Sequence, residues 1–595
     1  MENFEYTIKQ LLLNAINTLY HQQVDEKSIQ ISKTRKEFIG DFTIVVFPFV
    51  KISAMSPEAT AQQIGETLLN MTDLLSSFNV TKGFLNLSIS QQAWKDYLHY
   101  LERTDFHFFK NNNQAPCVVE FSSPNTNKPL HLGHVRNNLL GAAVCNILEN
   151  NGFDVKRVNL VNDRGIHICK SMVAWLKFGN GETPASSGMK GDKLVGKYYV
   201  AFDRCYKDEI QQLMQSGKTE EEAKQQAPIM LAAQDMLRQW ENEDKEVRQL
   251  WQQMNNWVYE GFEQTYKRLG IHFDKTYYES ETYLLGKDIV AKGLNEHVFY
   301  RHQDGSVRID LTQDGLDEKI LLRKDGTSVY MTQDLGTASL RAKEFAPQKM
   351  IYVVGNEQNY HFEVLKLILD KKLGFEWGKN IFHLSYGMVE LPNGKMKSRE
   401  GTVVDADDLM QEMVDVAKQN TTELGKINQF SQQEAQNLFE MIGLGALKYF
   451  ILKVDPKKNM LFNPDESVDL NGNTAPFIQY THARICSLLQ KAKEQNIDIQ
   501  QNFKGELPAI ELEILKTLYE YRNVLQQAGE ELNPALVANY TYNLVKQYNQ
   551  FYQSNKILKC EDENLKILRL QLSALVAKLI AHAMNLLGIA VPEKM

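Results

Sequence analysis

Residues 117–161, CVVEFSSPNTNKPLHLGHVRNNLLGAAVCNILENNGFDVKRVNLV, contain the pattern that indicates the fold class. A short β-branched run at its start leads into a loop rich in serine, proline and asparagine, and a helical pattern follows over 134–148. A second strand-like run occupies 155–161. Strand, loop, helix and strand at this spacing form a βαβ unit, which predicts a parallel sheet with a right-handed crossover. A ligand would then bind at the carboxyl end of the first strand, where the loop enters the helix.

The composition is typical of a folded, multidomain protein. The chain has 595 residues, 43% of them hydrophobic and 24% charged, so at ~150 residues per domain roughly four domains are expected. A net charge of −8 argues against coating nucleic acid by bulk positive charge, but not against RNA binding through a local basic face. The scattered cysteines form no C-x-x-C pair, so no structural metal is expected. An acidic, amphipathic N-terminus and the lack of an apolar run of ~18 residues predict a cytoplasmic protein that does not enter a membrane.

Shifts in pattern along the chain predict the domain organisation. Residues 1–112 begin with an amphipathic helix and continue with strand-like runs, which indicates a small α+β domain. Residues 113–410 form the parallel-sheet domain, interrupted by a helix-rich insertion at about 170–300. A helical connector at 411–464 and an all-helical domain at 465–595 follow. The expected fold class is α/β, with a Rossmann-like sheet between an N-terminal α+β domain and a helical C-terminal domain.

Two motifs in the predicted sheet domain carry chemistry. Pro129-Leu130-His131-Leu132-Gly133-His134 lies where the first strand gives way to the helix, so two imidazoles stand beside free backbone N–H groups, an arrangement that suits nucleotide phosphates. Lys395-Met396-Lys397-Ser398-Arg399 lies in a later loop and could clamp the outer phosphates of a triphosphate. Taken singly, the first motif is as consistent with chance as with function, and the second is more typical of a solvated charged loop.

Together, and in this order, the two motifs resemble the HIGH and KMSKS elements of class I aminoacyl-tRNA synthetases. The segments that resemble arginyl-tRNA synthetases in particular are 83–86, 119–134, 273–274, 279–280, 324–335 and 472–480. The resemblance covers nearly the whole chain. It implies an arginine–tRNA ligase, which activates L-arginine with ATP to arginyl-adenylate and pyrophosphate. Arginine then passes to the 3′-terminal adenosine of tRNA(Arg), leaving AMP.

The resemblance assigns residues to catalysis and to ATP, which enters with Mg²⁺ as the substrate complex. The catalytic residues it implies are His131, His134, Lys128 and Lys395. The ATP-binding residues it implies are His131, Gly133, His134, Gly355, Glu357, Met388, Val389, Lys395, Lys397, Ser398 and Arg399. Glu357 would accept from the ribose hydroxyls, and the backbone at 388–389 would hold adenine. The second lysine of the KMSKS pattern is missing, and Lys128, Lys397 or Arg399 would replace it, without a ranking from sequence.

A second set of matched positions would bind the amino acid. It comprises Glu120, Ser123, Asn125, His131, Tyr330, Asp334 and Gln358. A guanidinium is planar and always charged, so its pocket needs carboxylates and a planar partner. Tyr330 and Asp334 are four residues apart and share a face if that segment is helical. The alternative for Asp334 is a helix cap or an ion pair with Arg341.

The helical part from about residue 465 resembles the family's anticodon-binding domain, and the N-terminal domain resembles one that contacts tRNA. Candidate tRNA contacts are Asn86, Tyr480 and Arg484, although core packing explains Tyr480 about as well. The role of His167 stays open. The expected partners are tRNA(Arg), L-arginine and ATP, and the expected state is a monomer.

Two other classes of function compete with this interpretation. A class I synthetase for another amino acid, such as glutamate or lysine, would have little use for the carboxylates of the pocket. A non-catalytic relative that binds tRNA or senses arginine would not need the intact phosphate-binding motifs.

Overall fold

An antiparallel sheet covered by helices forms the first block of the chain. The computed structural model describes residues 3–104, 106, 108–109, 116–390, 404–423 and 430–595. The first strands are β1 (Ile31–Lys33), β2 (Phe42–Val45), β3 (Leu75–Thr81) and β4 (Phe84–Ile89), in the order β1-β2-β4-β3. The helices are α1 (Phe4–Tyr20), α2 (Val50–Ser53), α3 (Pro57–Met71) and α4 (Gln91–Arg103). Buried side chains of α1 recur every three to four residues, which gives this helix one apolar face for the core.

A five-stranded parallel sheet forms the centre of the second block. The strands from here on are β5 (Cys117–Glu120), β6 (Val155–Val161), β7 (Lys275–Tyr278), β8 (Tyr300–Arg301), β9 (Val307–Ile309), β10 (Lys319–Leu322), β11 (Lys349–Gly355), β12 (Ile381–Tyr386), β13 (Val389–Glu390) and β14 (Met460–Leu461). The parallel sheet has the order β12-β11-β5-β6-β7. Its direction of winding reverses between β5 and β11, and such a switch point is where ligands bind in open α/β sheets. Strands β8 to β10 form a small antiparallel sheet, and β13 pairs with β14.

The helices of this block pack around the sheet or form an insertion. They are α5 (Leu132–Asn150), α6 (Ile166–Phe178), α7 (Pro184–Ser187), α8 (Gly191–Gln215), α9 (Glu220–Gln226), α10 (Pro228–Glu241), α11 (Lys245–Leu269), α12 (Glu279–Thr282), α13 (Gly286–Asn295), α14 (Tyr330–Phe345), α15 (Asn359–Leu367) and α16 (Ala406–Glu423). The purely helical stretch ends at Leu269, earlier than the expected 300, because β7 already pairs with β6 in the sheet.

The last block is helical, as predicted. Its helices are α17 (Gln432–Leu452), α18 (Pro464–Ser467), α19 (Ala475–Glu494), α20 (Ala509–Glu531), α21 (Pro534–Ser554) and α22 (Glu563–Leu586). By length and composition α22 could cross a membrane, but 67% of its most apolar stretch is buried in this protein. That burial is typical of a core helix. The predicted fold class is confirmed in its three parts.

Helix α5 connects the sheet to the helical block. Three asparagines near its carboxyl end make the contacts: Asn146 Nδ2 donates to the carbonyl of Leu586 at 3.1 Å and Asn151 Nδ2 to that of Leu525 at 2.7 Å. Asn150 lies 3.1 Å from His582 Nε2. With 19 residues the helix is ~28 Å long, so it reaches from the switch point of the sheet to the last domain.

We expect Gly141→Ala to destabilise the protein. A Cβ at Gly141 would lie 2.3 Å from Cγ of the buried Phe121, so α5 would have to move off the sheet. Overpacking of this kind costs about 1–3 kcal/mol, which a thermal unfolding scan detects as a lower Tm. Gly472→Ala is the matched control, because the nearest atom to its Cβ is 3.6 Å away. An equal Tm for the two variants would contradict the packing described here.

Candidate active site

The two histidines of the first motif cap helix α5. His131 is the N-cap residue, and its Nδ1 accepts a hydrogen bond from the N–H of Gly133 at 3.1 Å. His134 Nδ1 accepts from the N–H of His131 at 3.3 Å, and the two ring centroids are 4.0 Å apart. A ring nitrogen that accepts carries no proton, so each imidazole bears its hydrogen on Nε2. The amides of His131 and Gly133 are therefore occupied, contrary to the expected free N–H groups, and the donors left for a ligand are the two Nε2–H groups.

Both imidazoles are neutral at physiological pH. Burial, together with the charge of Lys128, lowers the pKa of His131 to about 4. Burial first, and then His131 and Lys128, hold the pKa of His134 well below its usual value. Burial also lowers the pKa of Lys128. The histidines thus act as dipolar donors, and the cationic charge at this helix end comes from Lys128.

Glu120 ends strand β5 and is already paired. Its Oε2 forms an ion pair with Arg341 of α14, whose side chain is fully buried. Its Oε1 accepts from the Ser123 hydroxyl at 3.3 Å. The predicted arginine-binding residues Glu120 and Ser123 are therefore in contact, and the partner of Arg341 is Glu120. Of the alternatives for Asp334, the ion pair with Arg341 is wrong.

Asp334 pairs with a histidine from the neighbouring helix. Its Oδ2 lies 2.6 Å from Nε2 of His361 in α15. Helix α14 begins at Tyr330, so Tyr330 and Asp334 share a helix face as predicted, and Tyr330 is 77% exposed. The carboxylate of Asp334 is half-buried and keeps Oδ1 for a further donor.

The loop after β5 has a strained backbone that two asparagines hold in place. Ser122 and Ser123 have φ values of 74° and 46°, a conformation that costs about 1–3 kcal/mol for each residue. The N–H of Ser122 donates to Asn137 Oδ1 at 2.5 Å, and that of Ser123 to Asn159 Oδ1 at 3.0 Å. This shape aims the Ser123 hydroxyl at Glu120 and leaves Asn125 exposed.

The predicted ATP positions at the end of β11 lie beside this loop. Tyr352 stands opposite Glu120 in the pairing of β11 with β5, so the turn that begins at Gly355 emerges at the same edge of the sheet. Glu357 and Gln358 are exposed in that turn. Their side chains are accessible to a ligand at the switch point.

The backbone of Met388 is less available than predicted. Its N–H donates to Asn459 Oδ1 at 2.8 Å, and its carbonyl accepts from Arg136 at 3.0 Å and from the N–H of Met460 at 2.9 Å. In the parallel pairing of β13 with β14, the backbone N–H and C=O of Val389 point away from β14. The backbone groups of Met388 are therefore taken, whereas those of Val389 are directed away from β14.

The second motif, with Lys395, Lys397, Ser398 and Arg399, lies outside the described residues. The described residues on both sides of this motif form hydrogen bonds with the start of α5 or with the segment just before it. On one side Arg136 holds the carbonyl of Met388. On the other side the N–H of Leu132 donates to Val404 at 3.3 Å, and that of Ala406 donates to Leu130 at 2.9 Å. The flanks of the lysine-rich motif are thus fixed to the first turns of the histidine helix.

A cavity of about 720 Å³ opens beside His131. Cationic side chains in its wall outnumber the acidic ones: Lys128, Lys170, Lys193, Lys197, Arg204 and Lys207 line it together with Asp203 and Asp405. Lys193, Lys197 and Lys207 are each paired with a carboxylate. His167, whose role the sequence left open, lies in this wall with Nδ1 3.0 Å from the hydroxyl of Tyr199. The cavity has the size and the excess of cationic side chains to accept an anionic chain next to His131.

The three candidate RNA contacts differ in their surroundings. Asn86 is 2% exposed, and its Oδ1 accepts a hydrogen bond from the Thr43 hydroxyl at 2.7 Å. Its side chain therefore stabilises the sheet and is hardly accessible to a partner. Arg484 lies over the ring of Tyr480 at 4.9 Å, and its Nη1 donates to Asn549 at 3.2 Å. The pair forms a half-buried cation–aromatic surface on α19.

No cluster of three or more His, Cys, Asp or Glu side chains with the arrangement of a metal site occurs among the described residues.

Comparisons with known proteins cover the whole chain. Residues 100–463 match the family described as "tRNA synthetases class I (R), catalytic domain", residues 478–595 the DALR anticodon binding domain, and residues 6–89 the arginyl tRNA synthetase N terminal domain. The chain is 57% identical over 606 positions to the arginine–tRNA ligase of Phocaeicola vulgatus, covering 100% of both chains. The chain belongs to the arginyl-tRNA synthetase family.

Other members of the family agree in sequence and in fold. The arginine–tRNA ligase of Flavobacterium psychrophilum is 54% identical over 605 positions, covering 99% of this chain and 100% of that one. The arginyl-tRNA synthetase of Thermus thermophilus superposes with a TM-score of 0.78 at 22% identity, covering 100% of both chains. That second likeness shows that the fold is shared.

Sequence reasoning assigned no site role to three side chains that the structure places here. They are Arg136, Arg341 and His361, each of which contacts a predicted residue or its backbone. The two arginines could have been recognised from the sequence, because each is a charged residue at a position that the helical pattern predicts to be buried.

The neutral histidines predict a pH dependence of stability. The pKa of His131 is lower in the folded chain than in the unfolded one, so its contribution is present above about pH 6.5 and is lost as pH falls towards about 4. His131→Asn keeps an acceptor for Gly133 but does not titrate, so its Tm should fall less over that range than the wild-type Tm. Calorimetry at stepped pH checks this, with His297→Asn at an exposed position as control. If the Tm of wild type and that of His131→Asn fall in parallel with pH, the lowered pKa of His131 is contradicted.

Proposed function

We propose that this protein is an arginine–tRNA ligase, which forms arginyl-adenylate from L-arginine and ATP and transfers arginine to the 3′-terminal adenosine of tRNA(Arg). The observation that carries the proposal is the juxtaposition at one sheet edge of two Nε2–H imidazoles and the carboxylates of Glu120 and Asp334. Family membership and the arginine–tRNA ligases that match the chain along its whole length support it.

The first step is attack of the arginine carboxylate on the α-phosphate of ATP, with pyrophosphate as the leaving group. Negative charge grows on the α-phosphate oxygens as the bond forms. The Nε2–H groups of His131 and His134 are fixed by their Nδ1 contacts, so they donate to that charge without reorganising. Lys128 supplies a positive charge at the same helix end, and Lys395 is proposed to stabilise the pyrophosphate.

The amino acid is proposed to lie between α14 and the loop after β5. Asp334 offers one carboxylate oxygen to the guanidinium, and the exposed ring of Tyr330 provides the planar partner. Asn125 and Gln358 are exposed and can orient the α-amino and carboxylate groups. Because no side chain is needed as a nucleophile, no covalent enzyme intermediate is expected.

The second step requires the RNA end to reach the adenylate. We propose that the basic cavity beside His131 receives the terminal nucleotides, with lysine side chains near the phosphates. The helical block is proposed to bind the anticodon, with Tyr480 and Arg484 as stacking and phosphate contacts. For Asn86 we propose an indirect role, since its side chain is buried under the surface of the first sheet.

Several finer proposals complete this assignment. Mg²⁺ is proposed to bind with ATP, and the protein is proposed to act as a cytoplasmic monomer. The domain limits proposed are 1–112, 113–410, 411–464 and 465–595, in agreement with the order of the three family matches. Light scattering with and without tRNA measures the oligomeric state directly.

Pyrophosphate exchange separates this proposal from a synthetase for another amino acid. The assay is run with each amino acid in turn, with and without tRNA(Arg), since the family resemblance implies that arginine activation depends on bound tRNA. Exchange with arginine alone among the amino acids is the expected result. Exchange that prefers glutamate or lysine, or none at all, would overturn the proposal.

We expect His134→Ala to lower the rate of arginine activation by ~10²–10³, as for the loss of one preorganised donor. The affinity for tRNA should change little, because His134 does not line the cavity beside His131 and lies at the opposite end of α5 from the helical block. The rate of pyrophosphate exchange and a filter-binding assay for tRNA measure the two quantities. His272→Ala at an exposed position serves as control. Equal activity of His134→Ala and wild type would contradict the assigned role.

We expect Asp334→Asn to raise the KM for arginine by at least ~30-fold, since a charged pair worth ~2–5 kcal/mol becomes partly repulsive. The KM for ATP should move little, because the histidines and Glu357 are unchanged. The KM for citrulline, the neutral isostere of arginine, should rise far less than the KM for arginine. Steady-state exchange with both amino acids measures this, with Asp310→Asn as exposed control. An equal rise of the KM for ATP and the KM for arginine would indicate a structural role for Asp334.

A further inference from the structure

We propose that Arg341 is a positioning residue for arginine recognition, which fixes the carboxylate of Glu120 relative to that of Asp334. The inference rests on the proposed function, which places Asp334 at the guanidinium, and on the assignment of Glu120 to the bound amino acid that the family resemblance implies. Arg341 itself is 0% exposed and touches no substrate.

The helix that carries Arg341 also carries Asp334. The two residues are seven positions apart on α14, so they lie on one face, ~10 Å apart along the axis. Asp334 faces α15 through His361, whereas Arg341 reaches the sheet and holds Oε2 of Glu120. One rigid helix therefore sets the distance between a carboxylate on its own surface and a carboxylate at the end of β5.

The surroundings of Arg341 restrict its guanidinium to one place. Its Cζ lies 5.0 Å from the ring centroid of Tyr277 on β7 and 5.6 Å from that of Tyr352 on β11. Burial opposes its charge, but Glu120 and the two tyrosines raise the pKa of Arg341 above its usual value. The guanidinium is thus permanently charged and held between aromatic rings. The oxygen of Glu120 that it leaves open is Oε1, which also meets Ser123.

Stability alone does not account for this pair. It lies within an apolar cluster that includes Val118, Val158 and Leu335, where charges are costly to bury. A well-packed apolar pair in place of a buried ion pair is often neutral or stabilising. The ion pair does provide a fixed orientation for Glu120, which an apolar pair would not.

The test compares the KM for arginine with the KM for ATP in tRNA-saturated exchange. The variants are Arg341→Met, Arg341→Lys, Glu120→Gln and the double variant Glu120→Gln/Arg341→Met. Arg157→Met is the matched control: it removes another buried arginine of the same sheet, paired with Glu149 at 2.5 Å on the far side from α14.

Arg341→Met should raise the KM for arginine by about 10- to 100-fold, the range expected for a small misplacement of a binding group. The KM for ATP should stay within about twofold. Arg341→Lys should recover part of the loss, because it keeps the charge without the planar fork. Glu120→Gln and the double variant should have the same KM for arginine, since Arg341 acts only through Glu120. Arg157→Met should leave that KM unchanged even if its Tm falls.

Three results would overturn the proposal. The first is an unchanged or lower KM for arginine in Arg341→Met, and the second is an equal rise for arginine and ATP. The third is a double variant in which the two effects add. If Arg341→Met does not fold, Arg341→Lys and the double variant, which leaves no unpaired charge, decide the question. Failure of the wild type to exchange with arginine would instead overturn the proposed function.

Discussion

The position of the four-residue strand β5 determines where the other segments of the site meet. It pairs in parallel on both sides, with β11 and with β6, and all four of its residues are buried. Its carboxyl end therefore opens at the switch point of the sheet, between two neighbouring loops. The histidine helix begins where the loop from β5 ends, and the turn after β11 emerges beside it. Chemistry is assembled here because no other point of the sheet brings these segments together.

The end of α5 shows how a protein makes strong donors without charge. Nδ1 of each histidine accepts a hydrogen bond from a backbone N–H group at the start of the helix, which would otherwise have no partner within the helix. The same contact fixes the ring and directs Nε2–H outwards. Burial keeps both rings neutral. In the proposed mechanism the two histidines therefore offer dipoles to the growing charge, and a lysine supplies the formal charge.

Local pattern was enough to predict the elements that build the site. The strand at 155–161 coincides with β6, and the helix pattern at 134–148 lies within α5. The partners of the charged residues were not predictable, because Glu120 and Arg341 are 221 positions apart in the chain and meet only through tertiary packing. The same holds for Met388, whose backbone groups are taken by side chains from α5 and from the segment before β14.

The asparagine contacts at the far end of α5 have a consequence for how the halves of the molecule can be recombined. The amides of Asn146 and Asn151 donate to backbone carbonyls of the helical block, whereas Asn150 contacts the side chain of His582. Two of the three contacts therefore depend on main-chain geometry and not on the side chains of the helical block. A chimera that grafts the last domain of a distant relative onto this sheet must reproduce those carbonyl positions to within a few tenths of an ångström, whatever its surface sequence. The side chains on the outer faces of the same helices carry no such restriction. These contacts thus leave the outer surface of the helical block free to diverge while its docking geometry stays fixed.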